Sequence, residues 1–479
     1  KAIILRYLRR NDEALALISE SLKMDQFNYG CRYEQYLLTN DGALLNEMKQ
    51  MLRHCADNYN EVALDYQAAG LSDEANAIWQ IAIEEDAANP MTYYYMHRYK
   101  DAAEADYSYC FPNRLEDIQA LENAKLKNPS DAMAPYYLGC LFYAARQYDL
   151  AIENWELSSQ KAPMFPLVWR NLALARFNKQ GREKEALGYM QNAFKLDTTD
   201  ARMLMELDQL SKRLHHPHAE RLEFLQQYPK LIEKRDDLVL EEITLLNQVG
   251  KYIQAKRKLD AHIFHPWEGG EGKVPAQYQI CRVELAKQNI AEGKYKCAVG
   301  LLKQCLTYPH HLGEGKLYGA QENDFYYLLG VAYDALGKTD EAKECWEKAV
   351  LGPQEPAAAM YYNDAKPDKI FYQGMALRKL GREDEAYGRF YRLINYGKQH
   401  VFEHQTMDYF AVSLPDLLIW DDSLDTKNVI HCKYMLALGY CGMGDMKHAL
   451  KYLAEVEALD NNHQGAQQLR SFIELRLLP

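Results

Sequence analysis

Two short stretches of the chain carry the same set of residues that could bind a ligand. Each contains Gly-Glu-Gly-Lys followed by an aliphatic residue, at 270–274 and at 313–317. Glycines let a backbone approach a ligand, carboxylates accept hydrogen bonds from hydroxyls, an ammonium pairs with an anion, and an indole stacks on a sugar face or an aliphatic chain. We predict a ligand site formed by the side chains in and around these stretches: His265, Trp267, Glu268, Glu271, Lys273, His310, Glu314 and Lys316.

An internal role for the same residues is the alternative interpretation. Trp267 would then fill a packing gap, and the Glu and Lys side chains would cap helix ends within the molecule. One sequence does not decide between the two roles.

The Gly-Glu-Gly-Lys stretches do not fit a nucleotide-hydrolysing loop. Such a loop needs a glycine five residues before the Gly-Lys pair and a Ser or Thr after it. Trp267 and His310 stand at the earlier position, and Val274 and Leu317 at the later one. This chemistry is therefore excluded.

Catalysis and metal binding are also disfavoured by the setting of the candidate residues. Glu268 and Glu271 lie in a glycine-rich loop, which is a poor support for two carboxyl groups that a glycosidase must hold about 5 to 9.5 Å apart. The stretch His-His-Pro-His at 215–218 reads as a turn between helices. We therefore predict no catalytic residue, no metal site and no cofactor.

Composition narrows the classes of partner. The 479 residues are 48% hydrophobic and 26% charged, values typical of a folded soluble chain, and the formal charge is −12, the wrong sign for binding nucleic acid. No stretch approaches 18 uninterrupted apolar residues, so we predict no membrane span. Ten cysteines without a close pair favour a reducing, cytoplasmic location. The chain starts in a helical pattern without an initiator Met, and we interpret it as part of a longer protein.

A recurring pattern of small and aromatic residues organises the chain. It consists of Leu-Gly, an aromatic residue, a turn glycine, an alanine, a bulky apolar residue and a small residue at fixed offsets. Less complete copies recur along the sequence. The clearest copy contains Leu329, Gly330, Tyr333, Gly337, Ala342, Trp346 and Ala349.

The pattern describes two antiparallel helices that meet at a tight turn, with small residues where the helices approach and aromatic rings between them. It resembles the tetratricopeptide repeat, which has a period of about 34 residues. The resemblance implies an all-α fold, a right-handed α-solenoid superhelix of about ten helix-turn-helix repeats over residues 1–479. We expect more degenerate repeats at 1–130, central repeats at 131–263, insert-bearing repeats at 264–400, and a linker with a C-terminal repeat at 401–479.

Three consecutive repeats are longer than the standard period. The turn glycines Gly250, Gly293, Gly337 and Gly381 are 43 or 44 residues apart, which leaves about ten extra residues in each unit. The surplus lies between the second helix of one repeat and the first helix of the next. Equivalent loops of neighbouring repeats stack along one edge, so we expect the three inserts to lie side by side as a rim.

The resemblance also implies a concave groove lined by the first helices of the repeats. Tyr and Arg side chains there suit the gripping of an extended peptide. We predict that Arg170, Asn171 and Arg282 lie in this groove. The acidic run at 420–425 is expected to be a solvated connection before the last repeat.

A second, narrower resemblance concerns most of the chain from about residue 90. The residues that carry it are at 111–116, 169–173, 235–238 and 264–272. They look like the repeat portion of large bacterial proteins that carry an N-terminal β-sandwich of unknown function, similar to sugar mutarotase domains. This resemblance implies a missing N-terminal partner domain and a link to carbohydrate metabolism.

These observations lead to two functional hypotheses. The first is an interaction scaffold whose groove or rim holds a protein, a peptide or the chain's own N-terminal domain. The alternative is that the rim around Trp267 completes a saccharide site of a carbohydrate-active multidomain protein.

Overall fold

The chain is all-helical wherever its structure is described. The computed structural model describes residues 1–358, 366–406 and 419–477, and within these ranges the chain forms α-helices, one short 3-10 helix at His310–Leu312 and no β-strand. This confirms the all-α fold predicted from the repeat pattern. The chain divides into two compact units, Lys1–Ala175 (unit 1) and Arg176–Pro479 (unit 2).

Unit 1 is built from consecutive helices that pack on their neighbours in sequence. The strongest pairings join α5 to α6 and α10 to α11. The helices are α1 Ala2–Tyr7, α2 Asn11–Met24, α3 Tyr29–Thr39, α4 Gly42–Leu52, α5 Ala56–Ala68, α6 Ser72–Glu84, α7 Pro90–Tyr95, α8 Tyr99–Glu104, α9 Leu115–Lys127, α10 Met133–Ala144 and α11 Tyr148–Lys161.

The boundary between the units falls within helix α12, Pro166–Gln180. The later helices are α13 Glu183–Leu196, α14 Ala201–Arg213, α15 His218–Leu225, α16 Pro229–Ile232, α17 Asp236–Gln248, α18 Tyr252–Ala261, α19 Lys273–Ala291, α20 Tyr295–Cys305, α21 Asn323–Ala335, α22 Thr339–Ala349, α23 Pro367–Lys379, α24 Glu383–His400, α25 Leu424–Gly442, α26 Met446–Leu459 and α27 Gln464–Glu474.

The first helices of the helix pairs in unit 2 form one layer. Helices α17, α19, α21, α23 and α25 are the first helices of successive pairs, and each contacts the next one in this series as well as its own partner. We call these five helices the first-helix layer. Its apolar core residues interdigitate from pair to pair, so each pair covers an apolar face that it could not bury alone.

Close approach within a pair depends on glycine facing an aromatic ring. A Cβ atom at Gly330 of α21 would lie 2.2 Å from Nε1 of Trp346 on α22, and one at Gly374 of α23 would lie 2.4 Å from the ring of Phe390 on α24. The turn between α21 and α22 contains Gly337 with φ of 73°, a left-handed conformation that glycine adopts without strain.

The carboxylates of the acidic run at 420–425 are exposed, as the sequence indicated, but a buried tryptophan anchors the run. Trp420 is 1% exposed, its Nε1 donates to the backbone oxygen of Glu206, and its ring packs edge-on against Phe177. Asp421 pairs with Lys179, and Asp422 pairs with residues of α14 and α25. The composition of the run indicated its exposed carboxylates but neither their ion pairs nor the burial of the indole beside them.

Every helix in the described ranges is too short or too polar to cross a lipid bilayer. The subdivision at 130, 263 and 400 remains a prediction, and residues 407–418 of the expected linker lie outside the described residues.

The Gly330 contact yields a matched test of the packing. We expect Gly330→Ala to destabilise the chain by about 1–3 kcal/mol, because the added methyl group collides with the Trp346 indole. Gly300 is the control, since it lies in helix α20 with no atom within 4 Å of an added Cβ. Gly300→Ala should stabilise the chain by about 0.5–1 kcal/mol through helix propensity. Urea unfolding of both variants measures the difference, and equal effects would contradict the packing.

Candidate functional site

The first two inserts lie against each other. The backbone N–H of Phe264 in the first insert donates to the carbonyl of His311 in the second at 2.8 Å. Gly313 has φ of 75°, and a Cβ there would lie 2.6 Å from the carbonyl oxygen of Phe264. The expectation that these two inserts are neighbours is therefore confirmed.

Glu314 joins the two Gly-Glu-Gly-Lys stretches. Its Oε2 accepts the backbone N–H of Gly272 at 2.8 Å, immediately before the start of α19. Burial raises the pKa of Glu314, the Gly272 N–H opposes that rise, and the nearby charge of Glu271 adds to it. The two stretches are thus held together by a partly buried carboxylate.

Two other predicted rim residues, Trp267 and Lys316, also make contacts within the molecule. Trp267 folds over its own loop, where a Cβ at Gly270 would come within 2.4 Å of the indole. Lys316 donates to the carbonyl of Leu306 at 3.0 Å and pairs with Glu322. Glu268, Lys273 and His310 are exposed. These contacts correspond to the internal role that the sequence left open.

Asp236, at the start of α17, holds the beginning of the first insert. One carboxylate oxygen lies 2.7 Å from Nε2 of His262, and the other accepts the backbone N–H of His265 at 2.7 Å. Burial would raise the pKa of Asp236, but these partners outweigh it and the pKa is lowered. The side chain of His265 remains exposed beside it.

The third insert contacts a different part of unit 2. Glu355 pairs with Arg392 of α24, and the carbonyl of Ala357 lies 2.8 Å from Nε2 of His431 on α25. Residues 359–365 of this insert lie outside the described residues. Whether the third insert continues the rim stays a prediction.

The predicted groove residues fall in both units. In unit 1, Arg170 donates to the side chain of Asn171, which in turn lies 3.7 Å from the sulfur of Cys140. In unit 2, Arg282 is 2% exposed and stacks 3.4 Å from the ring centre of Tyr278. It also bonds side chains of α18 and α20, so it ties neighbouring helices together. The binding role of these residues stays a prediction.

Helix α27 lies across the first-helix layer of unit 2, an arrangement that the sequence analysis did not foresee. It contacts α19 and α25, which are three helix pairs apart, as well as α26. The turn before it docks on the turn between α14 and α15, where Asn461 bonds both the ring and the carbonyl of His215. The groove side of the layer therefore already holds a helix.

Polar contacts fix one side of α27. Lys287 of α19 donates to the backbone carbonyl of Gln468 at 3.0 Å, and Glu284 accepts the hydroxyl of Ser471 at 2.7 Å. Lys287 and Glu284 also pair with each other at 2.7 Å, and both are at most 2% exposed. The covering helix is thus held in part by a buried ion pair.

Apolar contacts fix its other side. Phe472 is fully buried, with its ring centre 6.3 Å from that of Tyr327, 6.0 Å from Phe371 and 5.8 Å from Tyr372. At the second residue of α27, a Cβ at Gly465 would lie 2.8 Å from the hydroxyl of Tyr434. Only a small residue fits at that position.

Two sequence signals could have pointed to this arrangement. Glu284 and Lys287 are charged residues on a first helix with apolar neighbours, and α27 has apolar residues spaced three apart at Ala466, Leu469 and Phe472. Neither signal shows which surface the helix covers, because the contact joins segments about 190 residues apart.

His463, which precedes α27, makes the stability of the fold depend on pH. Its Nδ1 accepts the backbone N–H of Ala466 and so caps the helix, and its ring packs on Tyr434. Burial lowers the pKa of His463, Asp460 opposes that change, His431 adds to it, and Asp368 opposes it weakly. The neutral imidazole is therefore the form that the fold stabilises.

We expect acid to destabilise the protein through this residue. Since the folded pKa lies below the unfolded value of about 6.5, the contribution is complete above that pH and is lost as the pH falls below it. His463→Asn keeps a capping acceptor but does not titrate in this range. The melting temperature of the wild type should fall more than that of His463→Asn between pH 7.5 and 5.5, and parallel curves would contradict this assignment.

Comparison with known families identifies one segment of unit 2. A family model described as a tetratricopeptide repeat matches residues 324–351. This segment covers nearly all of α21 and α22, including the Gly330 and Trp346 contact.

Solved structures of repeat proteins align with the chain only loosely. A tetratricopeptide repeat protein from Parabacteroides merdae is 14% identical, with 58% of this chain and 92% of that chain covered and a TM-score of 0.32. YrrB, described as a TPR protein with an unusual peptide-binding site, is 14% identical. The alignment covers 49% of this chain and 92% of YrrB, with a TM-score of 0.28. The TPR domain of P58(IPK) is 13% identical. The alignment covers 80% of this chain and 97% of that domain, with a TM-score of 0.23.

TM-scores this low carry no argument about function, so the assignment rests on the family match and on the packing that it coincides with. Residues 324–351, which include nearly all of the helix pair α21–α22, are similar to a tetratricopeptide repeat.

Proposed function

We propose that the protein is an interaction scaffold that binds a protein or peptide partner through the first-helix layer of unit 2. The observation that carries this proposal is that the layer already holds a helix, α27, by a combination of polar and aromatic contacts. A surface that positions one helix in this way has the chemistry to recognise another.

The repeat match supports the same function. Residues 324–351 belong to a repeat class built to stack into extended surfaces, and α21 lies in the middle of the layer. The proposal includes the cytoplasmic location and the bacterial origin that we expect from the sequence. An N-terminal domain of the kind that the narrower sequence resemblance implies would be one partner of the proposed class.

The saccharide alternative draws less support from the described residues. Trp267 covers its own loop, Glu314 bonds Gly272, and Lys316 bonds Leu306 and Glu322, so these groups already have partners within the molecule. Under this alternative, Trp267→Ala would abolish a saccharide-dependent rise in melting temperature, and Ile263→Ala, at an exposed position outside the predicted site, would serve as its control.

Reconstitution of a complex tests the scaffold proposal. A protein that copurifies with the chain should, when produced separately, re-form the complex with a Kd below about 10 μM. Its binding should slow amide hydrogen exchange in α19, α21 and α23, while the second helices α20 and α22 serve as internal controls. If no protein re-forms a complex, or if protection is confined to α20 and α22, the proposal fails.

A further inference from the structure

The contact between α27 and the first-helix layer combines an apolar core with several polar pairs. Glu284, Lys287 and Gln277 of α19 contribute charged or amide groups, and the amides of Gln277 and Gln464 bond each other in both directions at 2.7 and 3.0 Å. Contacts within a permanent core are dominated by apolar groups, whereas contacts that form and separate resemble ordinary protein surface. The polar pairs are a feature that this contact shares with separable ones, alongside the apolar residues Ala466, Leu469 and Phe472.

The contact also encloses a small cavity with a partly polar lining. A cavity of about 20 Å³ lies between α27 and the layer, large enough for one water molecule. Its polar lining comes from α19, α21, α23 and α25, and α27 closes it with Gln468 and Leu469. The lining residues of the layer are Lys287, Asp324, Asp368, Tyr372 and Tyr434, together with apolar neighbours.

The buried ion pair is suited to both an open and a covered groove. If α27 leaves, Glu284 and Lys287 remain bonded to each other and regain water, which removes the cost of burying two charges. If α27 is bound, Ser471 and the carbonyl of Gln468 complete their hydrogen bonds. Neither state leaves either of these charges without a partner.

From these observations, and resting on the proposed function, we infer that α27 is an exchangeable ligand of its own groove, and that the partner presents an amphipathic helix of the same pattern. The exchange regulates access, because the partner must displace α27 in order to bind.

The groove defines what that partner helix must carry. Facing Tyr434 it needs a glycine or another very small residue, at the position of Gly465. Two turns further on, it needs an aromatic ring to fill the site between Tyr327, Phe371 and Tyr372. A hydroxyl beside that ring bonds Glu284, as Ser471 does.

Attachment in the same chain makes α27 a strong competitor. A linked ligand acts at an effective concentration in the millimolar range, so a separate helix of equal intrinsic affinity occupies little of the groove. If α27 covers the groove 99% of the time, the apparent Kd of a partner rises about 100-fold. Weakening α27 should therefore tighten the binding of a separate helix.

A labelled peptide with the sequence of residues 460–477 tests this exchange. We expect it to bind full-length Phe472→Ala and full-length Gly465→Arg at least tenfold more tightly than it binds the wild type, as measured by fluorescence anisotropy. Peptides that themselves carry Phe472→Ala or Gly465→Arg should bind to the two variant chains at least tenfold more weakly than the native peptide does. Glu474→Ala in the full chain, at an exposed position of α27, is the matched control and should behave like the wild type.

The outcomes separate this inference from the proposed function. Equal affinity of the native peptide for all chains, or no binding to any of them, overturns the exchange while leaving a scaffold that binds elsewhere. If the Phe472→Ala chain no longer unfolds cooperatively, the Gly465→Arg chain decides the result. If neither variant unfolds cooperatively, α27 is an integral part of the core and the inference is wrong. Peptide exchange without any reconstituted partner complex would instead support the groove and contradict the scaffold.

Discussion

The spacing between the two helices of a pair is the constraint on which the rest of unit 2 depends. Where Gly330 meets Trp346 and Gly374 meets Phe390, the absence of a Cβ lets an aromatic ring lie directly on the backbone of the first helix. This close contact places the first helices of successive pairs side by side, as α19, α21, α23 and α25 lie. A continuous surface results, and it is the surface that α27 covers.

Because α27 covers that surface, charged residues on it are buried. Glu284 and Lys287 would be ordinary solvated side chains on an open groove, but here they are buried and bonded to a helix from the same unit. The net contribution of a buried ion pair to stability is small, so the apolar residues of α27 contribute the larger part of the stability of this contact. The rim, by contrast, is held together by the backbone bond at Phe264 and by the Glu314 carboxylate.

Sequence periodicity was sufficient to predict the helices, the turn at Gly337 and the adjacency of the first two inserts, because these features depend on local spacing repeated in register. It was not sufficient for Trp420 or α27. Trp420 lies in an acidic segment whose composition indicated solvent, yet it packs on Phe177, and Phe472 packs on rings about 100 or more residues away in sequence. Such contacts depend on how distant repeats return towards one another, which the pattern of a single repeat does not contain. The ligand-binding roles of the rim and of Arg170, Asn171 and Arg282 remain predictions.

The central claim is that α27 leaves the groove without unfolding the helix pairs beneath it. Hydrogen–deuterium exchange of the wild-type chain tests this most directly, because local opening exposes the amides of one segment while the others stay protected. If α27 leaves the groove on its own, its amides exchange at least ten times faster than those of α21 and α23. Equal protection of α27, α21 and α23 would show that they open only together, and would contradict the central claim.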